Sequence, residues 1–89
     1  MQVRRRVFYS GRVQGVGFRF TSQHIARGFN VTGWVKNLAD GRVELLVEGE
    51  PAEIDGFLAR LSETMGGNIH SANVLEEPAS GEFSQFRIV

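Results

Sequence analysis

Cysteine is absent from this 89-residue sequence, and histidine occurs only twice. The lack of cysteine excludes a disulfide framework, a cysteine-ligated zinc site, a catalytic thiol and thiol redox chemistry. With two histidines, a metal site built from several histidines within one chain is not expected either. We therefore expect the protein to need no metal and no other cofactor.

Other features of the composition narrow the class of protein. Proline occurs twice, and 42% of the residues are hydrophobic while 22% are charged, which is typical of a folded chain. No apolar run approaches the ~20 residues that cross a bilayer, and the basic residues 1–6 lead into no signal-peptide core. These features predict one domain over residues 1–89, cytoplasmic and monomeric, with no membrane partner.

The formal net charge is zero, but the charges are distributed unevenly. Residues 1–45 carry eight basic and two acidic residues, whereas residues 46–89 carry two basic and eight acidic residues. A uniformly basic nucleic-acid-binding domain has a different pattern, so no nucleic-acid partner is expected. The basic half suits a site for a small anion. For most of these charges we favour the simpler interpretation that the two halves pair across the sheet or stay solvated.

Hydrophobic periodicity predicts an alternation of strands and helices. Strands are expected at residues 3–13, 33–38, 43–50, 69–75 and 83–89, and helices at about 21–29 and 51–65. This order predicts an α+β fold of the ferredoxin-like βαββαβ type. In that fold an antiparallel sheet carries both helices on one face, and here a short extra strand follows at the C-terminus.

Three local predictions accompany this assignment. Thr21 or Ser22 is expected to cap the first helix, because both residue types favour that position. Asn30 is expected to follow that helix in a left-handed conformation. The strand at 43–50 alternates apolar and acidic residues, which predicts burial of one face only.

The stretch from Gly11 to Arg19, GRVQGVGFR, is the most informative about function. It joins a strand to a helix, and Gly15 and Gly17 allow a tight turn that exposes consecutive N–H groups. Such groups beside the positive end of a helix dipole can bind an anion. Arg19 can pair two oxygens of a phosphate and stays charged at any working pH. Spacing alone leaves a plain glycine-rich connection equally open.

The loop differs from the familiar nucleotide-binding motifs. It lacks the Gly-Lys-Ser/Thr of a P-loop, and the third glycine of the dinucleotide fingerprint is missing. An RNA-recognition domain shares the βαββαβ order, but its third strand needs aromatic residues for stacking. Here residues 42–47 contain none, so the RNA hypothesis is weak.

Two motifs together resemble those of the acylphosphatase family. The stretch from Gly11 to Arg19 is similar to the first signature of that family, and the stretch GWVKN, Gly33 to Asn37, is similar to the second, at the expected distance. Asp40-Gly41, Glu48-Gly49 and Phe86-Arg87-Ile88 also look like the family. The resemblance covers essentially the whole chain.

The resemblance implies a hydrolase that cleaves the carboxyl–phosphate anhydride of acyl phosphates. The partner is then a small-molecule acyl phosphate, and inorganic phosphate is a product. By motif position, the phosphate-binding residues are Gln14, Gly15, Val16, Gly17, Phe18 and Arg19. The catalytic residues are Arg19, which stabilises charge in the transition state, and Asn37, which positions the attacking water. No metal is required, because a carboxylate with a conjugate-acid pKa near ~4 departs without a general acid.

A second hypothesis is a non-catalytic module of the same fold. Such a module would hold an anion without turnover, or serve as an accessory domain of a larger carbamoyl-transfer machine. The presence of both Arg19 and Asn37 favours hydrolysis, since a pure binder needs no water-orienting amide. The roles of His24, Trp34 and Lys36 are left open at this point.

Overall fold

The computed structural model describes all residues from 1 to 89. Five strands and two α-helices follow one another along the chain, with a 3-10 turn at Gly66–Asn68 before β4. The elements are β1 Val3–Gly11, α1 Phe18–Ala26, β2 Val31–Asn37, β3 Val43–Gly49, α2 Pro51–Met65, β4 Ile69–Pro78 and β5 Phe86–Ile88. Neither α-helix combines the length and the apolar character that spanning a lipid bilayer requires.

The strands form one sheet in the order β4-β1-β3-β2-β5. Neighbours among β1 to β4 run antiparallel, with Val7 opposite Leu45 and Val35 opposite Leu45 at the centre. The C-terminal β5 pairs with β2 in the parallel direction, so the sheet as a whole is mixed. The predicted βαββαβ order and the extra C-terminal strand are confirmed, and the parallel pairing is confined to that extra strand.

Both helices pack against one face of the sheet and enclose the hydrophobic core. On α2 the apolar residues that recur at helical spacing are buried at Ile54, Phe57, Leu61 and Met65. The sheet contributes alternate residues of its strands: Val7, Tyr9, Val31, Val35, Val43, Leu45, Val47 and Phe86. Each fully buried large apolar side chain stabilises the fold by roughly 1.5–3 kcal/mol, so this layer holds the loops at the end of the sheet in place.

The central strand β3 is buried on both faces, and the prediction of one-sided burial was wrong. On the face away from the helices, Leu46 is 2% exposed, Glu48 1% and Glu44 8%. Arg4 and Arg6 of β1 lie beside these residues and pair with the two carboxylates. The alternation in the sequence shows which residues are polar but not whether they are exposed. Here the two acids are buried because arginines of the neighbouring strand neutralise them.

Pairing of opposite charges between the two halves of the chain, as favoured from the sequence, is confirmed on β1. Arg5 reaches Asp55 on α2. Arg6 Nε lies 3.0 Å from Glu77 on β4. These pairs hold the pKa of the Arg5 and Arg6 guanidinium groups above their usual value, chiefly through hydrogen bonds to Asp55 and Glu77 respectively.

Helix α1 begins earlier than predicted. Its N-cap is Gly17, in a left-handed conformation with φ 80° and ψ 19°, and its first residue is Phe18. Ser22 Oγ donates to the Phe18 carbonyl oxygen at 2.7 Å, so Ser22 lies inside the helix and does not cap it. Asn30 is not left-handed, since only glycines have positive φ. Its N–H donates instead to Glu53 Oε1 at 2.7 Å.

Candidate active site

A cleft of about 140 Å³ opens between the loop after β1, the start of α1 and the ends of β2 and β5. These elements meet there because β2 packs against α1 and also pairs with β5. The lining residues are Val13, Gly17, Phe18, Arg19, Phe20, Asn37 and Ile88. The structure thus brings together the end of the glycine-rich loop and the end of the second motif, which are separate in the sequence. The predicted site residues Gln14, Gly15 and Val16 are not among those that line the cleft.

The loop that forms one wall depends on two left-handed glycines. Gly15 has φ 76° and Gly17 has φ 80°. A Cβ built at either position meets no atom within 4 Å, so space is not the constraint. The constraint is the backbone angle, which other residues adopt only at a cost of roughly 1–2 kcal/mol.

The left-handed turn leaves a run of main-chain donors unpaired. The first intrahelical bond is the one from Thr21 N–H to the Gly17 carbonyl oxygen, 2.9 Å long, and the N–H groups of residues 14–20 donate to no acceptor in the protein. Helix α1 also has no capping side chain and no acidic residue in its first turn. Unpaired N–H groups at the positive end of a helix dipole favour an anion.

Arg19, in the first turn of α1, is the cation of this cleft. No carboxylate lies within 4.0 Å of its guanidinium group, in contrast to Arg4, Arg5 and Arg6, which are all paired. A planar guanidinium group with free donors suits the oxygens of a phosphoryl group. Arg19 therefore remains available to an anionic ligand.

Asn37 ends β2 on the opposite wall. Its side-chain oxygen Oδ1 is buried and has no hydrogen-bond partner within the protein. A buried acceptor without a donor costs about 1–3 kcal/mol, so such an atom implies a donor supplied from outside the chain. A water molecule held in the cleft is the simplest donor.

Gln14 connects the two walls. Its Nε2 donates to the carbonyl oxygens of Leu38 at 2.7 Å and of Arg42 at 2.9 Å, across the turn that follows β2. The side chain of Gln14 therefore braces the loop against the turn that begins directly after Asn37. Phe18 is likewise occupied, since its ring is buried 4.9 Å from that of Tyr9. Because the Gln14 Nε2 group and the Phe18 ring are both occupied, these two residues can donate to a ligand only through their main-chain N–H groups.

Comparison with known proteins places this arrangement in a family. A family model described as Acylphosphatase matches residues 5–88. The chain belongs to the acylphosphatase family. It is 43% identical over 84 residues to an acylphosphatase of Rubrobacter xylanophilus, which covers 93% of this chain and 76% of that protein.

Solved structures give the same result. The chain matches the crystal structure of acylphosphatase from Bacillus subtilis with a TM-score of 0.87 and 34% identity, over 100% of this chain and 99% of that one. It also matches 12% of the chain in the crystal structure of full-length HypF in the phosphate- and nucleotide-bound form, with a TM-score of 0.80 and 29% identity. The acylphosphatase fold thus occurs both in a chain of about this size and within a much longer one.

Two other residues of the second acylphosphatase motif lie away from the cleft. Alternate residues of β2 face opposite sides of the sheet, so Trp34 and Lys36 point away from the helices. Lys36 Nζ lies 5.1 Å from the centroid of the Trp34 ring and 3.9 Å from Glu44 Oε1. His24 does not line the cleft either. No group of three or more His, Asp or Glu side chains is placed to hold a metal ion.

Sequence reasoning missed three residues of this acylphosphatase cleft: Val13, Phe20 and Ile88. Val13 is buried in the core. Phe20 follows Arg19 on α1, and Ile88 lies on β5 opposite Val35 of β2. The signal for Phe20 was available, since it lies off the buried stripe of α1 that Phe18 and Ala26 define. Ile88 had no comparable signal, because its position depends on the pairing of β5 with β2.

Proposed function

We propose that this chain hydrolyses the carboxyl–phosphate anhydride of acyl phosphates in the cleft between the glycine-rich loop and Asn37. One observation carries the proposal. An unpaired cation, Arg19, and an unpaired buried acceptor, Asn37 Oδ1, line the same small cleft. Membership of the acylphosphatase family supports the same reaction class.

Phosphate binding is assigned to the loop and the first turn of α1. The N–H groups of residues 14–18 would donate to the phosphoryl oxygens, and the dipole of α1 adds to their attraction for an anion. Arg19 would bind two of these oxygens and would stabilise the charge that is spread over them in the transition state. Gln14 contributes by keeping the loop in the conformation that presents these donors.

Water positioning is assigned to Asn37. Its Oδ1 would accept a hydrogen bond from the attacking water and hold that water in line with the bond to be broken. The water oxygen forms the new bond to phosphorus while the bond from phosphorus to the acyl oxygen breaks. The electron pair leaves with the carboxylate, and the proton that the water loses passes to the phosphate product or to solvent.

The leaving group explains why so few side chains suffice. A carboxylic acid has a pKa near ~4, so the carboxylate departs at neutral pH without protonation. The reaction then depends on positioning and on electrostatic stabilisation rather than on acid–base catalysis. Phosphate monoesters have much more basic leaving groups, so we expect them to be poor substrates.

The test is hydrolysis of benzoyl phosphate by the purified chain in the presence of EDTA, beside p-nitrophenyl phosphate as the monoester control. We expect fast loss of the anhydride, competitive inhibition by inorganic phosphate, and almost no hydrolysis of the monoester. Retention of activity in EDTA tests the predicted independence of metal ions.

The second hypothesis is a non-catalytic module of the same fold. The match to a segment of HypF favours it, because in HypF the fold is part of a longer chain. Under that hypothesis the cleft binds an anion without turnover. Binding of inorganic phosphate measured by calorimetry, with no hydrolysis of benzoyl phosphate, would establish the non-catalytic module and contradict the proposed hydrolase.

A further inference from the structure

Two large apolar side chains are exposed at the mouth of the cleft. Phe20 is 71% exposed and Ile88 is 38% exposed, and both line the cleft beside Arg19. Val16, in the loop itself, is exposed to a similar degree as Ile88. The other exposed large apolar residues lie at the chain ends or on β4, the far edge of the sheet: Met1, Val74, Leu75 and Val89.

The fold gives no reason for a phenylalanine at position 20. The buried side of α1 is formed by Phe18, Ser22 and Ala26, and Phe20 points away from it. Phenylalanine is also a weaker helix former than alanine, leucine or lysine. Single apolar residues are common on protein surfaces, but here two of them, from elements far apart in sequence, line the same small cleft as Arg19 and Asn37.

We propose that Phe20 and Ile88 bind the acyl group of the substrate, so that the chain prefers acyl phosphates with an apolar or aromatic acyl group. This inference rests on the proposed function, because it extends the same site from the phosphoryl end of the substrate to the acyl end. The phosphoryl group would occupy the polar part of the cleft near Arg19. The acyl group of the bound substrate must then extend through the mouth of the cleft, where Phe20 and Ile88 provide the exposed apolar surface.

The chemistry of the two side chains sets the preferred substrate. Apolar surface that is removed from water on binding contributes favourably in proportion to its area. An aromatic acyl group has additional favourable offset or edge-to-face contacts with a phenyl ring. A benzoyl group gains from both effects, whereas an acetyl group is too small to cover Phe20 and Ile88 together. We therefore expect a higher kcat/KM for benzoyl phosphate than for acetyl phosphate.

The experiment compares kcat/KM for benzoyl phosphate and acetyl phosphate in the wild type and in Phe20→Ala. Phe20→Ala should lower kcat/KM for benzoyl phosphate about tenfold while changing that for acetyl phosphate by less than about twofold. The inhibition constant of inorganic phosphate should not change. Phe20→Leu, which keeps an apolar side chain, should restore most of the preference, and Leu75→Ala removes an exposed apolar residue at the far edge as the matched control.

A second measurement examines the same surface without turnover. Calorimetry should show phenylphosphonate binding more tightly than methylphosphonate to the wild type, and this difference should shrink in Phe20→Ala. Equal losses for both substrates in Phe20→Ala, or no loss at all, would overturn the inference while leaving the hydrolase intact. If the wild type hydrolyses neither substrate, the proposed function fails. The affinities of the two phosphonates still decide whether Phe20 and Ile88 bind an apolar group.

Discussion

Gln14 Nε2 donates at 2.7 Å to the carbonyl oxygen of Leu38, the residue that directly follows Asn37. The same nitrogen donates to the Arg42 carbonyl oxygen at 2.9 Å, so one amide joins the glycine-rich loop to the turn beyond β2. The relative position of the two walls of the cleft therefore depends on this side chain. In the proposed reaction, those walls carry the phosphate site and the water site.

Replacing Gln14 with leucine keeps the size of the side chain and removes both hydrogen bonds. We expect the unfolding free energy to fall by about 1–3 kcal/mol, because two side-chain hydrogen bonds are lost while each carbonyl oxygen keeps one main-chain donor. For a chain of this size, each kcal/mol lowers the melting temperature by roughly 4–8 °C. Thermal denaturation measures the change. Gln23→Leu, which removes one longer bond of 3.3 Å to the Phe86 carbonyl oxygen, is the matched control and should cost less.

Arg19→Ala and Asn37→Ala should separate binding from turnover. Arg19→Ala is expected to lower both phosphate affinity and kcat, because in the proposed reaction the cation binds the phosphoryl oxygens in the ground state and in the transition state. Asn37→Ala is expected to lower kcat by about 10²–10³ with phosphate affinity largely kept, since in the proposed reaction its oxygen holds the attacking water and not the phosphate. Calorimetry with inorganic phosphate and initial rates with benzoyl phosphate give the two quantities.

Arg60→Ala is the control for Arg19→Ala, because Arg60 is another arginine without a carboxylate partner and lies on α2, outside the cleft. It should leave phosphate affinity and kcat unchanged. The division of roles is refuted by an equal loss of phosphate affinity in Arg19→Ala and Asn37→Ala.

Gly17→Ala should damage both stability and phosphate binding. The added Cβ meets no neighbour, but φ of 80° is unfavourable for alanine by roughly 1–2 kcal/mol, so relief of the strain would turn the N–H groups of the loop away from the ligand. Gly28→Ala is the matched control. Its φ is not positive, and its Cβ would make an ordinary contact of 3.5 Å with the Ile25 carbonyl oxygen. Urea denaturation and phosphate calorimetry of the pair decide whether the loop conformation is required.

The sequence was sufficient for the order of elements and for the two motifs, because both depend on local patterns. The apolar residues of α2 recur at helical spacing, and Gly15 and Gly17 allow the tight turn of the loop. The start of α1 was predicted too late, because Ser22 looks like a capping residue and instead donates to the Phe18 carbonyl oxygen inside the helix. Serine suits both positions, so its residue type alone does not show where the helix begins.

Features that depend on distant contacts could not be predicted. Ile88 reaches the cleft because β5 pairs with β2 in the parallel direction, and no local pattern reports that pairing. Burial of Glu48 depends on Arg4 and on the loop that follows β4. Alternation correctly marked Glu48 as polar and was wrong about its exposure, since partners far apart in sequence satisfy the carboxylate.

Glu48 should make the stability of the fold depend on pH in the acid range. Burial alone would raise its pKa, but the N–H groups of Ser80 and Gly81 and the Arg4 guanidinium group outweigh burial and lower the pKa to about 2. The carboxylate accepts from these groups at 2.7 to 2.9 Å. Because the folded-state pKa lies below the unfolded value, the stabilisation is complete above the unfolded pKa and is lost as the pH falls towards the folded one.

Glu48→Gln is the variant that tests this dependence. At pH 6 it should lower the unfolding free energy by about 2–3 kcal/mol relative to the wild type, and the difference should shrink steadily between about pH 5 and pH 2 as the wild-type carboxylate becomes protonated. Urea denaturation at a series of pH values measures it. Glu63→Gln, an exposed acid on α2 without an ion-pair partner, is the control and should follow the wild-type curve. A difference between Glu48→Gln and the wild type that stays constant down to pH 2 would contradict the assignment, because the lost stability would then come from packing rather than from the charge.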